Sequence, residues 1–178
     1  FALANEVLGD AGYRTIGMDH FALPGDELLA AQEAGTLQRN FMGYTTRAGL
    51  DQPGIGVSAI GSFGGVYAQD LKDRAAWSAH IAAGSLPIER GFVLGEHDRV
   101  RRRVIMELFC NFRVDWPAGS FAEERRRLVP LAADGLVDVR EDGLRVTPLG
   151  RHFIRNVCAV FDRYLEPEGA ERRYSHTA

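Results

Sequence analysis

An acid and an imidazole stand side by side at Asp19 and His20, between apolar neighbours. Histidine changes its charge near neutral pH, and an adjacent carboxylate can fix which ring nitrogen carries the proton. The pair is therefore a candidate catalytic group that could orient a substrate or shuttle a proton. The alternative interpretation is a hydrogen-bonded pair at the end of a strand that only holds a loop.

Two arginines flank an aromatic segment about twenty residues further along, and they are candidates for substrate binding. Arg39 precedes Asn40-Phe41-Met42-Gly43-Tyr44, and Arg47 follows it. The planar guanidinium group matches a carboxylate with two parallel hydrogen bonds, so either arginine could bind an acidic substrate. For each arginine taken alone, the alternative is a solvated surface position.

The elements that would position these residues suggest an α/β fold. Residues 13–18 and 54–62 have strand character, and helices are predicted over residues 1–11, 24–34 and 72–83. This alternation is typical of a β/α barrel or a doubly wound sheet, in which ligands bind at the carboxyl ends of the strands. Asp19-His20 and Ile60-Gly61-Ser62 both fall at such ends. We therefore expect both segments to line the same ligand-binding opening.

The second half of the chain has a different pattern. Helices are predicted over residues 96–112 and 121–133, a β-hairpin over 135–146, and a last helix from Thr147-Pro148 to about Tyr164. Phe153, Val157 and Phe161 are expected to face inward on that last helix. Helix, helix, hairpin and helix in this order predict a winged-helix-like arrangement, and the polar tail after Glu166 is expected to fray.

Composition excludes several classes of protein. The net charge of −3 disfavours a general nucleic-acid or membrane-surface binder, and no apolar run approaches the roughly 20 residues of a membrane span. Cys110 and Cys158 are far apart in apolar contexts, so we expect buried thiols and a cytoplasmic protein rather than disulfides. The other histidines are too scattered for a metal site, and the Gly54–Gly65 run lacks phosphate-loop spacing. A first residue inside a helix suggests a piece of a longer protein.

Several motifs follow one another along nearly the whole chain: Gly-Met-Asp-His-Phe-Ala, Asn-Phe-x-Gly-Tyr-Thr-Thr, Gly-Val-Ser-Ala-Ile, Cys-Asn-Phe-Arg, Asp-Gly-Leu-Val and Arg155-Asn156. Together they resemble the oxygen-independent coproporphyrinogen III oxidase (dehydrogenase) family of radical S-adenosylmethionine enzymes. The resemblance implies a C-terminal portion of such an enzyme. Residues 1–92 would end a partial β/α (TIM-like) barrel, and residues 93–178 would form the winged-helix-like domain.

The resemblance also implies a reaction and its cofactors. The family decarboxylates two propionates of coproporphyrinogen III oxidatively, giving protoporphyrinogen IX in haem biosynthesis, with S-adenosylmethionine and a 4Fe-4S cluster. The CxxxCxxC motif that ligates the cluster is absent from this segment, so we expect no metal ligands and no turnover from it alone. The implied partners are the porphyrinogen and an electron donor for the cluster. We expect binding to neither nucleic acid nor membrane, and we expect a monomer.

Cofactor contacts follow residue by residue from the same resemblance. Ile60 matches a family position that packs against the adenosyl group, and Phe41 and Met42 match positions near a second S-adenosylmethionine. The family can carry a hydrogen-bonding glutamine where Met42 stands. Arg39 and Arg47 are the cations expected to bind the carboxylates of this tetra-acid substrate.

Two other functions stay open at this point. The related haem chaperones carry a His-Asn-x-x-Tyr-Trp loop, whereas this chain has Arg39-Asn40-Phe41-Met42-Gly43-Tyr44-Thr45, which favours the oxidase. A winged-helix nucleic-acid binder is compatible with the hairpin and the arginine triplets at 101–103 and 125–127. The net negative charge disfavours it.

Overall fold

Every strand pair in the computed structural model, which describes residues 2–165, is antiparallel. The chain divides into a first unit of residues 1–46 with 101–178 and a second unit of residues 47–100. The tail that was expected to fray lies outside the described residues. None of the helices in the described part has an apolar stretch long enough to span a membrane.

The front of the first unit consists of two helices and two hairpins. The elements are α1 (Ala2–Asp10), β1 (Arg14–Gly17), β2 (His20–Ala22), α2 (Glu27–Glu33), β3 (Gln38–Asn40) and β4 (Gly43–Thr45). Helix α2 begins at Glu27, later than the predicted residue 24, because the Asp26 carboxylate caps it by accepting a hydrogen bond from the backbone N–H of Leu28. Its end is as predicted, since Gly35 adopts a positive φ that favours glycine.

The predicted alternation of strands and crossovers is wrong for these hairpins. A parallel crossover needs a dozen or more residues, whereas β1 turns back into β2 within Met18-Asp19. Met18 takes a left-handed backbone conformation in this turn, with φ 48°. His20 consequently opens β2 opposite Gly17 instead of lying in a loop beyond a strand. The described strands form separate antiparallel sheets and no closed barrel.

The second unit is one antiparallel sheet with a helix. Its elements are β5 (Ile60–Phe63), β6 (Val66–Asp70), α3 (Arg74–Ala82) and β7 (Ile88–Val93). The buried strand predicted over 54–62 is wrong in extent, since Gly54 to Ser58 are not in a strand and Ile60 is exposed. The Gly54 and Gly61 backbones approach so closely that a Cβ on Gly61 would lie 2.8 Å from the Gly54 nitrogen. Backbone packing of this kind explains Gly54 and Gly61.

Helices and a three-stranded sheet complete the chain. The elements are α4 (Glu96–Asn111), β8 (Arg113–Asp115), α5 (Ala122–Arg127), α6 (Val129–Ala133), β9 (Val137–Val139), β10 (Gly143–Val146), a 3₁₀ helix (Gly150–Phe153) and α7 (Ile154–Ala159). Helix α4 and the β9–β10 hairpin confirm the predictions. The helix predicted over 121–133 is divided at Leu128, because Pro130 has no N–H to continue the helical hydrogen bonds. The last helix ends at Ala159, earlier than predicted.

Two apolar clusters make up the core of the first unit. The smaller cluster joins Ile16, Leu29 and Leu37 to Cys110 on α4. The larger one includes Leu108, Leu128, Leu144 and Val157, with Trp116, Phe121 and Phe161 in mutual ring contact. Helix α4 contributes to both clusters, so it is the element on which both halves of this unit pack.

Phe153 and Phe161 have different environments, although both were expected to face inward. Phe161 is 1% exposed, whereas Phe153 is 40% exposed at the end of the 3₁₀ helix. The prediction is therefore right for Phe161 and wrong for Phe153. The early change from 3₁₀ to α-helix alters the angle per residue, and this shifts Phe153 off the buried face.

The two phenylalanines provide a matched test of the larger cluster. Phe161→Ala should lower the free energy of unfolding by about 3–5 kcal/mol, because it leaves a cavity beside two aromatic rings. Phe153→Ala should lower it by about 1 kcal/mol or less, since much of that ring is already in water. Urea unfolding measures both values. Equal losses would contradict the assignment of Phe161 to the core.

Candidate functional site

The carboxyl end of helix α4 organises the candidate site in the first unit. The last four carbonyls of an α-helix have no partner within the helix and must be satisfied from elsewhere. The Tyr44 hydroxyl donates to the carbonyl of Phe109 at 3.1 Å. The side-chain amide of Gln32 donates to the carbonyl of Cys110 at 2.6 Å and to that of Ile16 at 2.7 Å. Helix α2, strand β1 and hairpin β3–β4 are thereby tied to one helix end.

Asp19 and His20 form a direct contact, as the sequence suggested. The Asp19 Oδ1 and His20 Nδ1 atoms are 2.9 Å apart. A hydrogen bond with its own backbone, with a further contribution from His20, holds the pKa of Asp19 below its usual value against a small effect of burial. Because the carboxylate is ionised and can only accept, the proton of the neutral ring lies on Nδ1. The other nitrogen, Nε2, is then the one able to accept a proton.

The ring of Tyr44 contacts both His20 and Arg39. The His20 and Tyr44 rings meet edge to face with centroids 5.0 Å apart. The Arg39 guanidinium carbon lies 5.8 Å from the Tyr44 centroid and 5.2 Å from that of Phe109. Arg39 and Tyr44 are direct cross-strand partners in the β3–β4 hairpin, which explains their contact. Burial raises the pKa of Tyr44 well above its usual range, so its hydroxyl stays protonated as a donor.

Two glycines provide the space for this arrangement. A Cβ on Gly17 would collide with the hydroxyl of Tyr44 and lie 2.9 Å from its Cζ. A Cβ on Gly43 would lie 3.1 Å from Nε2 of His20, and Gly43 also has a φ of +135° that side chains rarely adopt. Glycine at both positions is therefore required by the approach of the Tyr44 and His20 side chains.

Phe41 and Met42 form the tip of the β3–β4 hairpin. The side-chain oxygen of Asn40 accepts hydrogen bonds from the backbone N–H groups of Met42 and Gly43, at 2.8 and 3.2 Å. This local turn holds the tip in place. Met42 is 85% exposed and Phe41 is also largely exposed. Both side chains are available to a ligand, and their role in cofactor binding stays a prediction.

Ile60 and Arg47 belong to the second unit, so they are described separately. Ile60 is the first residue of β5, pairs with Gln69 across the sheet, and is exposed. Arg47 is exposed at the start of the unit. The expectation that Ile60 and the Asp19-His20 pair line the same ligand-binding opening stays a prediction.

The two cysteines are buried, reduced and unsuited to metal binding. Burial raises the pKa of the Cys110 thiol to about 12, and it raises that of Cys158 as well. A thiol that stays protonated is a poor ligand and a poor nucleophile, so the prediction of buried apolar cysteines is confirmed. Within residues 2–165 no group of three His, Cys, Asp or Glu side chains could hold a metal ion.

Several residues of this site were not found by sequence reasoning. Gln32 lies in helix α2 and Tyr44 in the short strand β4, and their acceptors Cys110 and Phe109 lie 78 and 65 residues away. Arg155, which lowers the pKa of Asp19 through its charge, comes from α7. Only Gly17 offered a local signal, because a glycine inside an apolar strand suggests a close approach.

Comparisons with known proteins give close relatives of one kind. Oxygen-independent coproporphyrinogen III oxidase of Escherichia coli is 45% identical over 178 residues, which are 94% of this chain and 39% of that protein. The Pseudomonas aeruginosa protein of the same name is 45% identical, with 96% of this chain and 39% of the relative covered. That of Thermostichus vulcanus is 46% identical, with 90% and 53% covered. No family model matches the chain.

A solved structure agrees with these relatives. Coproporphyrinogen III oxidase from Escherichia coli, described as a radical SAM enzyme, superposes with a TM-score of 0.87 at 45% identity. The match covers 92% of this chain and 40% of that one. The mixed α/β fold and the resemblance first seen in the motifs are therefore confirmed. The chain spans about two fifths of the length of the first relatives that it matches.

Gly17 provides a test of the site's packing. Gly17→Ala should lower the free energy of unfolding by about 1–3 kcal/mol, because the added methyl displaces Tyr44 from the Phe109 carbonyl. Gly9→Ala is the matched control. Gly9 lies in helix α1 with nothing within 4 Å of an added Cβ, so alanine there should stabilise by up to about 1 kcal/mol. Urea unfolding measures the free energy of unfolding of both variants. If Gly17→Ala leaves this free energy unchanged, the contact between Gly17 and Tyr44 is not rigid.

Proposed function

We propose that this chain, similar over nearly its whole length to oxygen-independent coproporphyrinogen III oxidases, is the C-terminal portion of such an enzyme. The observation that carries the proposal is the agreement of 45% sequence identity with a TM-score of 0.87 over 92% of the chain. The reported relatives are named as oxidases and not as haem chaperones or nucleic-acid-binding proteins. No observation favours either alternative over the oxidase.

The proposed reaction converts two propionate side chains of coproporphyrinogen III into vinyl groups. Each propionate loses one hydrogen atom, one further electron and its carboxylate as CO₂. When bound, S-adenosylmethionine and a reduced 4Fe-4S cluster would supply the radical chemistry that removes the hydrogen atom. An electron donor for the cluster and an acceptor for the further electron would be partners of the full-length enzyme. The task of the present residues is to bind, to orient and to exclude water.

Arg39 is the proposed ligand of a substrate carboxylate. Its guanidinium group stacks on two rings, so its plane is held in a defined orientation. Its Nε atom is buried and has no hydrogen-bond partner among the residues that the structure describes. A buried donor without a partner is costly, and a carboxylate would satisfy it. Arg47, which is exposed, is proposed to bind a second carboxylate of this tetra-acid.

Asp19 and His20 are proposed to act on the substrate bound by Arg39. With Nδ1 held by the carboxylate, Nε2 could accept a hydrogen bond from the macrocycle or take up a proton. The contact of both His20 and Arg39 with Tyr44 supports their action on one ligand.

S-adenosylmethionine is the cofactor proposed to contact this segment. Ile60 presents an exposed apolar side chain beside the compact Gly61 backbone, a surface suited to a flat adenine. Phe41 and Met42 are proposed to line a second cofactor position. The thioether of Met42 cannot donate a hydrogen bond, so any polar contact there must come from another group.

The remaining features of the parent enzyme follow from the same proposal. Residues 1–92 would close its partial barrel, and residues 93–178 would form a winged-helix-like domain that covers the porphyrinogen. The order of α4, β8, α5–α6 and the β9–β10 hairpin supports the latter. We propose a cytoplasmic monomer that binds neither nucleic acid nor membrane.

Arg39 can be tested in the full-length enzyme under anaerobic conditions. Arg39→Gln should raise KM for coproporphyrinogen III at least tenfold, because it removes a charge-assisted hydrogen bond worth roughly 1.5–3 kcal/mol. Arg140→Gln is the matched control, since Arg140 is exposed and its guanidinium pairs with Asp138 in the β9–β10 hairpin. Unchanged KM in folded Arg39→Gln would exclude Arg39 from the substrate site. Absence of protoporphyrinogen formation by the wild-type enzyme would refute the function itself.

Ile60 tests the cofactor assignment separately. Ile60→Asp in the full-length enzyme should weaken binding of S-adenosylmethionine by tenfold or more, because a carboxylate would replace an apolar contact and be desolvated. Isothermal titration measures this affinity. Ile55→Asp serves as the control, since Ile55 is 88% exposed in the same unit. Equal affinities of the Ile60 variant and the wild type would remove the adenosyl contact from the proposal.

A further inference from the structure

Tyr44 stands at the centre of the candidate site without being one of its chemical groups. Its ring meets the His20 ring edge to face, with centroids 5.0 Å apart, and it also lies under the Arg39 guanidinium at 5.8 Å. These two side chains come from different hairpins, β1–β2 and β3–β4. Within the described residues, Tyr44 is thus the side chain that touches both.

The ring itself is held from three directions. Its hydroxyl is hydrogen-bonded to the Phe109 carbonyl at the end of α4. The backbone of Gly17 lies against the same hydroxyl and leaves no room for a side chain. Strand pairing with Arg39 fixes the Tyr44 backbone. A ring fixed in this way can define the positions of the groups that rest on it.

We infer that Tyr44 is a positioning residue, which holds the His20 imidazole and the Arg39 guanidinium in the relative placement that lets both act on one bound porphyrinogen. This inference rests on the proposed function. It assigns to Tyr44 no contact with the substrate. The Tyr44 ring acts through a cation–π contact with Arg39 and an aromatic contact with His20.

The inference predicts different effects for loss of the Tyr44 ring and for loss of its hydroxyl. Tyr44→Phe keeps the aromatic surface and loses only the bond to the Phe109 carbonyl. Tyr44→Met keeps an apolar side chain of similar length but has no aromatic face for a cation. The Met variant should therefore loosen both His20 and Arg39, and of its two ring contacts Arg39 would keep only that with Phe109 at 5.2 Å, whereas the Phe variant should keep most of their placement.

The test measures kcat and KM for coproporphyrinogen III in the full-length, cluster-loaded enzyme, together with the unfolding midpoint. Tyr44→Met should lower kcat/KM about 100-fold, with both a higher KM and a lower kcat, because misplacement by about 1 Å costs that much. Tyr44→Phe should recover most of this loss and stay within about tenfold of the wild type. Tyr13→Met, an exposed position in the same unit, is the control for loss of a tyrosine.

Coupling distinguishes positioning from general destabilisation. If Tyr44 acts through Arg39 and His20, the triple variant Tyr44→Met/Arg39→Gln/His20→Gln should be little worse than Arg39→Gln/His20→Gln. Losses that multiply independently would overturn the inference, as would a Tyr44→Phe variant as impaired as Tyr44→Met. If Tyr44→Met does not fold, Gly17→Ala replaces it, because a Cβ on Gly17 would lie 2.9 Å from the Tyr44 Cζ atom and so displaces the ring itself. Unchanged kcat/KM in that folded variant would equally overturn the inference.

Failure of the inference can be told from failure of the proposed function. If Arg39→Gln and His20→Gln impair a working enzyme but Tyr44→Met does not, only the positioning role is wrong. If neither Arg39→Gln nor His20→Gln has an effect, the site itself is wrong, and Tyr44 has nothing to position.

Discussion

The end of helix α4 imposes the constraint on which the first unit depends. A helix cannot satisfy its own last carbonyls, and a buried carbonyl without a partner costs as much as a lost hydrogen bond. Here the partners of two of these carbonyls are the side chains of Tyr44 and Gln32. The helix end therefore selects the position of two hairpins and of helix α2. Asp19 and His20 lie beside this junction, and the candidate site is built there.

The same junction joins the two apolar clusters. Ile16 on strand β1 belongs to the smaller cluster, whereas Met18, two residues later, packs against the larger one. The turn that carries Asp19 is thus held from both sides, which is consistent with the left-handed conformation of Met18. A similar arrangement holds Arg39, whose backbone N–H donates to the Met106 sulfur of α4 at 3.3 Å. Among the groups proposed to do chemistry, Asp19 is exposed and His20 and Arg39 are half-buried, and the chain around them is anchored in packed structure, as a precise site requires.

The sequence predicted elements well where their formation depends on neighbouring residues. The capped start of α2 at Asp26, the long apolar period of α4 and the turn before Gly143 all depend on neighbouring residues. The β1–β2 hairpin was missed because a two-residue turn with Met18 in a left-handed conformation has no signature in composition. The contact of Asp19 with His20 was predictable from adjacency. The role of Tyr44 was not, since it arises from a helix end that lies far along the chain.

The insertion of one unit within another has a consequence for biosynthesis. The chain leaves the first unit after Thr46 and returns to it at Arg101, so residues 47–100 emerge from the ribosome before Phe109 and Cys110 at the end of α4 do. Until then, Tyr44 and Gln32 lack their acceptors, and the front hairpins lack their contacts with α4. Two-stranded hairpins alone are marginal in water. Closing so long a loop is slow but costs little more than closing a short one. The two front hairpins should thus reach their final packing only after the end of α4 has left the exit tunnel.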